Sequence, residues 1–509
     1  MPTAAAPTAA AAPPPPARPP RAYRLVLAFL RRLVRIFFRQ VEITGLEHVP
    51  SDRGGIVISW HPNGLVDPGL ILTSFPRQVI FGARHGLFRW PLLGLLLRSI
   101  GTVPIFRVVD AAAADPAHRK EQNQKSLGAL ANEVARGSFS ALFPEGVSHD
   151  DPYLRELKTG VARLYYRARE LTPAGQPPPV ILPVGLYYDE KRLFRSRALV
   201  WFHPPLELPP ALDVTPAPDE PDEVARERAR ALTAEIEHVL RDVVGATEDW
   251  ATHHTMHRCR KLIRAERAQR AEANPGRPRA EERALGFARI RAGYYARMVT
   301  DPARVTALRA RIERYEADLA ALRLEDHELD RDPRLASPWL AALLLLQAAF
   351  VFLLLPPVLL FGTLANAPTA LFLWLICRIA ARQRKDEATI KLLVGALVFP
   401  LTWLAAALVG AIGHEYLHAT YPGIPDRPVV AGATLAVAAA VGGAAALRYL
   451  HRAQETARSI RVRLTRRRQQ ASIAWLLHER GQIHDQVIEL AEGLDLPGVV
   501  AADGSVQAG

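Results

Sequence analysis

Cysteine is almost missing from this chain: Cys259 and Cys377 are the only two in 509 residues, far apart, and one of them lies inside an apolar run. That excludes a disulfide framework and a thiolate metal site, and it suits a reducing compartment. Zinc-finger spacing, an RNA-binding aromatic signature and a basic region joined to heptads are also lacking, so nucleic acid is not an expected partner. The opening stretch, MPTAAAPTAAAAPPPPARPP, has no basic segment ahead of an apolar core and does not read as a secretory signal. Residues 1–20 read instead as disordered Ala/Pro low complexity.

What is abundant is positive charge set beside apolar runs. The 64 Lys and Arg exceed the 51 Asp and Glu by a formal +13, and they form no single compact patch. That pattern favours an anionic membrane surface as partner. In residues 21–40, Leu27, Leu30, Val34, Phe37 and Phe38 recur at helical spacing, with Arg24, Arg31, Arg32, Arg35 and Arg39 interleaved. An interfacial amphipathic helix is expected there, and a helix packed on the globular domain is the open alternative.

From residue 41 to 245, short apolar runs bounded by Gly and Pro alternate with helical patterns. The runs are GGIVIS, QVIFGA, GTVPIF, FSALFP, PPVILPVGLYY and RALVWFHPP; the helical patterns fall at 68–76, 90–99, 117–136 and 157–170. Such alternation predicts an α/β domain with a mixed, largely buried sheet. Residues 246–335, rich in Arg, Glu and Ala, read as a charged helical spacer of solvated helices.

Membrane helices are expected over 336–450. The uncharged runs Pro338–Gly362 and Leu392–Gly413 have spanning length, and LANAPTALFLWLICRIA and VVAGATLAVAAAVGGAAAL supply two weaker spans. Basic clusters at Arg378–Lys391 and from Arg448 to Arg468 contrast with HEYLHATYPGIPDR, which ends in its single Arg427. The positive-inside rule places the basic clusters in the cytoplasm, and an even number of spans leaves the α/β domain of this integral membrane protein on the cytoplasmic face. A basic amphipathic helix (451–490) and a flexible tail (491–509) complete the expected order. Nothing in the sequence addresses oligomeric state.

Chemistry concentrates at strand ends. SWHPNGLVDP places His61 and Asp67 around an Asn63-Gly64 turn, and Asp67 ahead of Pro68 also reads as a helix N-cap. GTVPIFR brings Arg107 after a strand, FPEGVSH brings Glu145 and Gly146, LKTG brings Lys158 to a helix start, and ILPVGL brings Pro183 and Gly185. Polar and Gly/Pro residues at several strand ends are what a ligand site along one sheet edge requires.

The blocks HPNGLVD, GTVPIFR, FPEGVSH and ILPVGL, in this order over roughly residues 25–210, resemble the glycerophospholipid acyltransferase family. The longer stretches FPEGVSHDDPYLRELKTGVARL and RLFRSRALVWFHPPLEL resemble its branch with an extra C-terminal membrane region. The resemblance implies transfer of a fatty acyl group from acyl-CoA or acyl-carrier protein to glycerol-3-phosphate, dihydroxyacetone phosphate or 1-acylglycerol-3-phosphate. No cofactor is implied beyond the acyl donor as co-substrate. It also implies His61 and Asp67 as the catalytic pair, acceptor binding by Arg107, Glu145 and Gly146, and shaping of the acyl site by Pro183 and Gly185.

The family's usual first block has four residues between His and Asp, whereas Pro62 to Val66 make five here, a spacing similar to its His-Pro-Asn variant. The residue types suit the reaction. The acceptor hydroxyl is itself the nucleophile, so a base and a phosphate grip are needed and no nucleophilic Ser or Cys. His61 can take the proton, Asp67 can hold its tautomer, and Arg107 can grip phosphate bidentately. Lys158 is a further acceptor-binding candidate.

Two readings from other classes compete. HEYLH fits the H-E-x-x-H pattern, with His414 and His418 as zinc ligands and Glu415 as base of an intramembrane protease, yet Pro422, Gly423 and Pro425 break the helix and no third ligand is evident. The other is a non-catalytic lipid-binding protein that keeps the fold, against which the intact His61, Asp67, Arg107 and Glu145 speak.

Overall fold

In the computed structural model, which describes residues 20–106, 116–191, 193–217, 219–273, 276, 278–330, 338–380 and 386–508, all six apolar runs between 41 and 245 form strands. They follow β1 (Gln40–Thr44) as β2 (Gly55–Ile58), β3 (Val79–Arg84), β4 (Val103–Ile105), β5 (Phe139–Leu142), β6 (Val180–Tyr188) and β7 (Arg197–Phe202). β1 carries no continuous apolar run because it is an edge strand, exposed or half-buried along its length and paired on one side only.

The sheet order is β1-β7-β6-β2-β5-β3-β4, and every pairing is parallel except β6 with β7. The carboxyl ends of β2, β3, β4, β5 and β6 therefore lie along one edge. Helices α1 (Arg21–Phe37), α2 (Val66–Ser74), α3 (Pro91–Ser99), α4 (Pro116–Ala135), α5 (Gly160–Leu171) and α6 (Asp222–Val243) flank the strands. Ile56 and Ile58 of β2 point into a core built with Leu130 and Val134 of α4, Leu164 and Tyr165 of α5, and Leu232 and Ile236 of α6. Val57 is as fully buried on the opposite side, where the Phe75 ring after α2 packs at a tilt against Phe139 and edge-on against Phe202. Both faces of the central strands are covered, which is why they read as unbroken apolar runs.

α1 buries Tyr23, Val34 and Phe37 on the sheet side and leaves Leu25, Phe29 and Ile36 exposed on the other.

The chain divides at His253 into two compact units, a short segment ending at Thr389 grouping with the first. In the second, α7 (Trp250–Arg270), α8 (Ala280–Thr300), α9 (Pro302–Leu322) and α10 (Asp326–Leu329) are not the solvated spacer the sequence suggests. Cys259, Leu262, Ile312, Tyr315, Leu319 and Leu329 form a core with Ile473, Leu476 and Ile483 of α15 (Gln470–Ala491). Their apolar residues are few, and they meet a partner helix from the far end of the sequence. Arg480 of α15 is completely buried and joins Glu266 at 2.9 Å and Asp330 at 2.5 Å.

The membrane region also differs from the expected four spans. α11 (Pro338–Ala349) runs through a π-helical turn at Phe350–Leu354 into α12 (Leu355–Ala380), and Pro368 stays inside that helix. The run Pro338–Gly362 and the weaker run LANAPTALFLWLICRIA are thus consecutive helix, followed by α13 (Asp386–Thr420) and α14 (Pro428–Arg468). Among the described residues three helices, at Leu359–Ala380, Glu387–Thr420 and Pro428–Arg466, are long and apolar enough to cross a membrane. An odd count withdraws the parity argument that placed the α/β domain on the cytoplasmic face. The basic stretch after the last span continues α14 to Arg468 and only then yields to α15. Two short strands, β8 (Val499–Val500) and β9 (Val506–Gln507), pair antiparallel within the expected tail.

Candidate active site

The sheet edge brings His61 to Asp67 despite the longer spacing between them. β2 delivers His61, the chain reverses through Asn63 and Gly64, whose φ of +49° suits glycine, and Val66 N–H to Asn63 O at 3.0 Å opens α2. Asp67 is therefore not the N-cap: the helix starts at Val66, two residues before Pro68, with Leu65 as its cap position. The carboxylate, fully buried, turns back on the turn itself. Oδ2 accepts from Asn63 N–H at 2.7 Å and faces His61 Nδ1 at 2.8 Å. Oδ1 accepts from the Tyr188 hydroxyl at 2.5 Å.

The Asn63 amide and the Tyr188 hydroxyl both donate to the carboxylate that His61 Nδ1 faces. They leave His61 Nδ1 as the protonated ring nitrogen and Nε2 as the basic one. The imidazole is 19% exposed and lies flat on the Phe143 ring, centroids 4.1 Å apart.

Phe143 follows β5, and Pro144 leads from it into Glu145, which is only 2% exposed. Glu145 Oε2 accepts from His149 Nε2–H, while Oε1 is buried without a hydrogen-bond partner. His149 Nδ1 accepts from Asp151 N–H at 3.2 Å, which fixes its tautomer, and His149 N–H donates to His61 O at 3.0 Å. Gly146 holds φ +69° at the turn, a conformation open to glycine. Two strand ends are thereby tied into one site.

Lys158 joins through its backbone, its N–H donating to Pro144 O at 2.8 Å. Its ammonium is 62% exposed and pairs with Glu156 at 3.1 Å. Pro183 on β6 is buried in register with Ile58 and accepts from His203 N–H at 3.0 Å. Gly185 makes room for the Tyr187 ring, which a Cβ would meet at 2.5 Å. Arg107 lies outside the described residues; Phe106 before it is clamped by Asn123 of α4, N–H to Oδ1 at 2.9 Å and Nδ2–H to the carbonyl at 2.8 Å.

Residues 40–187 match the family model described as Acyltransferase, and residues 287–496 match the one described as Glycerol-3-phosphate acyltransferase 2 C-terminal domain. The chain belongs to the glycerophospholipid acyltransferase family. The chain is 25% identical over 392 residues to an uncharacterised acyltransferase of Schizosaccharomyces pombe, covering 60% of this chain and 55% of the relative. It is 27% identical over 306 residues to glycerol-3-phosphate O-acyltransferase 2 of Saccharomyces cerevisiae, 59% of this chain and 38% of the relative. It thus spans about half or less of the length of these curated relatives. A crystal structure of the 1-acyl-sn-glycerophosphate acyltransferase of Thermotoga maritima aligns over 43% of this chain and 82% of its own, at 18% identity and a TM-score of 0.28.

In this acyltransferase-family chain, sequence reasoning passed over Tyr188 and His149. His149 stands four residues after Glu145 in PEGVSH, a visible signal; Tyr188 in GLYYD has none, because only the strand pairing brings it to Asp67. The HEYLH residues lie at the end of α13 and close the following loop. His418 Nδ1 faces Ile424 O at 2.7 Å, and His414 Nε2 faces Pro425 O at 2.9 Å and Arg427 N–H at 3.1 Å. Among the described residues no group of three or more His, Cys, Asp or Glu is placed to hold a metal ion.

Proposed function

We propose that the chain is a membrane-bound O-acyltransferase that moves a fatty acyl group from acyl-CoA or acyl-carrier protein to a phosphorylated glycerol acceptor, glycerol-3-phosphate first among the candidates. The observation that carries this is His61 Nδ1 held 2.8 Å from a buried Asp67, with Nε2 as the basic nitrogen at a sheet edge. The acceptor hydroxyl gives its proton to Nε2 as its oxygen attacks the thioester carbonyl. The C–O bond forms, the C–S bond breaks, and the imidazolium returns the proton to the departing thiolate. Asp67 stabilises that cation throughout.

Arg107 grips the acceptor phosphate, and the unpartnered Oε1 of Glu145 receives a glycerol hydroxyl beside the Gly146 turn. Lys158 adds charge at the rim, and Pro183 and Gly185 shape the acyl side. The acceptor preference is supported by the naming of the yeast relative and of the C-terminal family model. The three long apolar helices support membrane anchorage.

Purified protein should transfer radiolabelled acyl groups to glycerol-3-phosphate, with dihydroxyacetone phosphate and 1-acylglycerol-3-phosphate compared in parallel. His61→Ala should abolish transfer and leave membrane association intact; full activity in that variant would overturn the mechanism.

A further inference from the structure

We infer that Tyr188 is a positioning residue that sets the basicity of His61 through Asp67, an inference resting on the reading of His61 as general base. Two neighbouring strands build the arrangement. β2 supplies His61 and β6 ends on Tyr188, in parallel register at Ile58 and Pro183. The Tyr188 hydroxyl takes the carboxylate oxygen that His61 does not face, at 2.5 Å. Among the described residues, the other donor to Asp67 besides His61 is the Asn63 amide.

Among the described residues, the neighbouring charged groups Glu145 and Lys191 are engaged elsewhere. Glu145 is paired with His149, and Lys191 binds Asp150 while its carbonyl accepts from Asn63 Nδ2–H at 3.0 Å. Burial, and then the adjacent Asp67 charge, hold the Tyr188 phenol well above the usual tyrosine range, so it stays a neutral O–H donor.

A proton donor on Oδ1 disperses the carboxylate charge and weakens its hold on the imidazolium. His61 is thereby kept less basic than a bare Asp67 would make it. Removing the hydroxyl concentrates charge on Asp67, favours the imidazolium, and moves the ionisation of His61 to higher pH.

The test is the pH dependence of His61 carbethoxylation by diethyl pyrocarbonate, read by mass spectrometry on the full chain, beside the acidic limb of kcat/KM for acyl transfer. Tyr188→Phe, which keeps the ring against Phe38, should raise both midpoints by about one pH unit. Site-specific fluorotyrosine at position 188, a stronger donor of nearly the same shape, should lower them. In an Asp67→Asn background, adding Tyr188→Phe should move the labelling midpoint no further.

An unchanged midpoint in Tyr188→Phe, or an equal shift without the Asp67 carboxylate, overturns the inference. Labelling that shifts as expected in a protein with no acyl transfer leaves the inference standing and overturns the proposed function. Transfer with an unshifted midpoint does the reverse.

Discussion

The carboxylate of Glu145 and the imidazole of His149 form a buried pair whose backbone also holds the neighbouring strand end, His149 N–H donating to His61 O at 3.0 Å. The loop after β5 is thus fastened to the loop after β2 through one residue. His149→Ala would leave both oxygens of a buried Glu145 without partners, a loss of about 2–3 kcal/mol. The apparent Tm of the α/β unit should fall, and His149→Gln, which can still donate, should recover part of it. Identical melting of wild type and His149→Ala would count against the pairing.

Asp67→Asn asks an amide to accept from three donors with one carbonyl oxygen. Its NH2 group must then face a donor, so the His61 tautomer loses its anchor. Acyl transfer should drop by about three to four orders of magnitude, as expected when a base loses the carboxylate that orients it. An effect on KM alone, with kcat intact, would assign Asp67 to binding instead.

His203 stacks on Trp201 at 4.9 Å, and its Nε2 is sealed away without a hydrogen-bond partner. Burial first, then the nearby His48, lowers its pKa to about 4. An unfolded histidine titrates near 6.5, so between that pH and about 4 the unfolded chain takes a proton the folded chain refuses. Stability from this site is complete above about 6.5 and declines as pH falls towards 4, by about 3 kcal/mol at most. His203→Phe keeps a ring on Trp201 and should flatten that decline in thermal melts across the range; parallel curves for the two proteins would refute it.

In the second unit Gly362 of α12 meets Gly442 of α14 so closely that a Cβ on Gly362 would lie 2.3 Å from the Gly442 carbonyl carbon. Asn366 Nδ2–H bonds across the same contact to Ala439 O of α14 at 2.8 Å, and also to Gly362 O of its own helix at 2.8 Å. Without a hydrophobic drive between helices in lipid, such close packing and polar bridges carry the association. Gly362→Leu should force α12 from α14, at a cost of about 2 kcal/mol or more, and lower the melting temperature in detergent. Melting equal to wild type would show that the contact does not hold the helices.

The strands of the α/β domain were legible because burial on both faces leaves unbroken apolar runs, and the four motif blocks were legible because each sits at the end of such a run. β1 was not, since an edge strand needs only alternate apolar residues such as Val41 and Ile43. The charged helices concealed their core for a related reason. Leu262 and Ile312 look isolated until α15, some 160 residues or more away in sequence, supplies Leu476 and Ile483.

Local pattern by itself determined the six strands from β2 to β7 and the apolar character of the segments from Pro338 onward, because periodicity and turn chemistry act over a few residues. It also singled out His61, Asp67, Glu145 and Gly146 by their company. Whether five intervening residues let His61 reach Asp67 was decided only by the tertiary structure, where α2 begins at Val66 and aims the carboxylate back at the turn. Tyr188, 121 residues from Asp67, became its partner through the parallel pairing of β2 with β6, a long-range register that no local signal encodes.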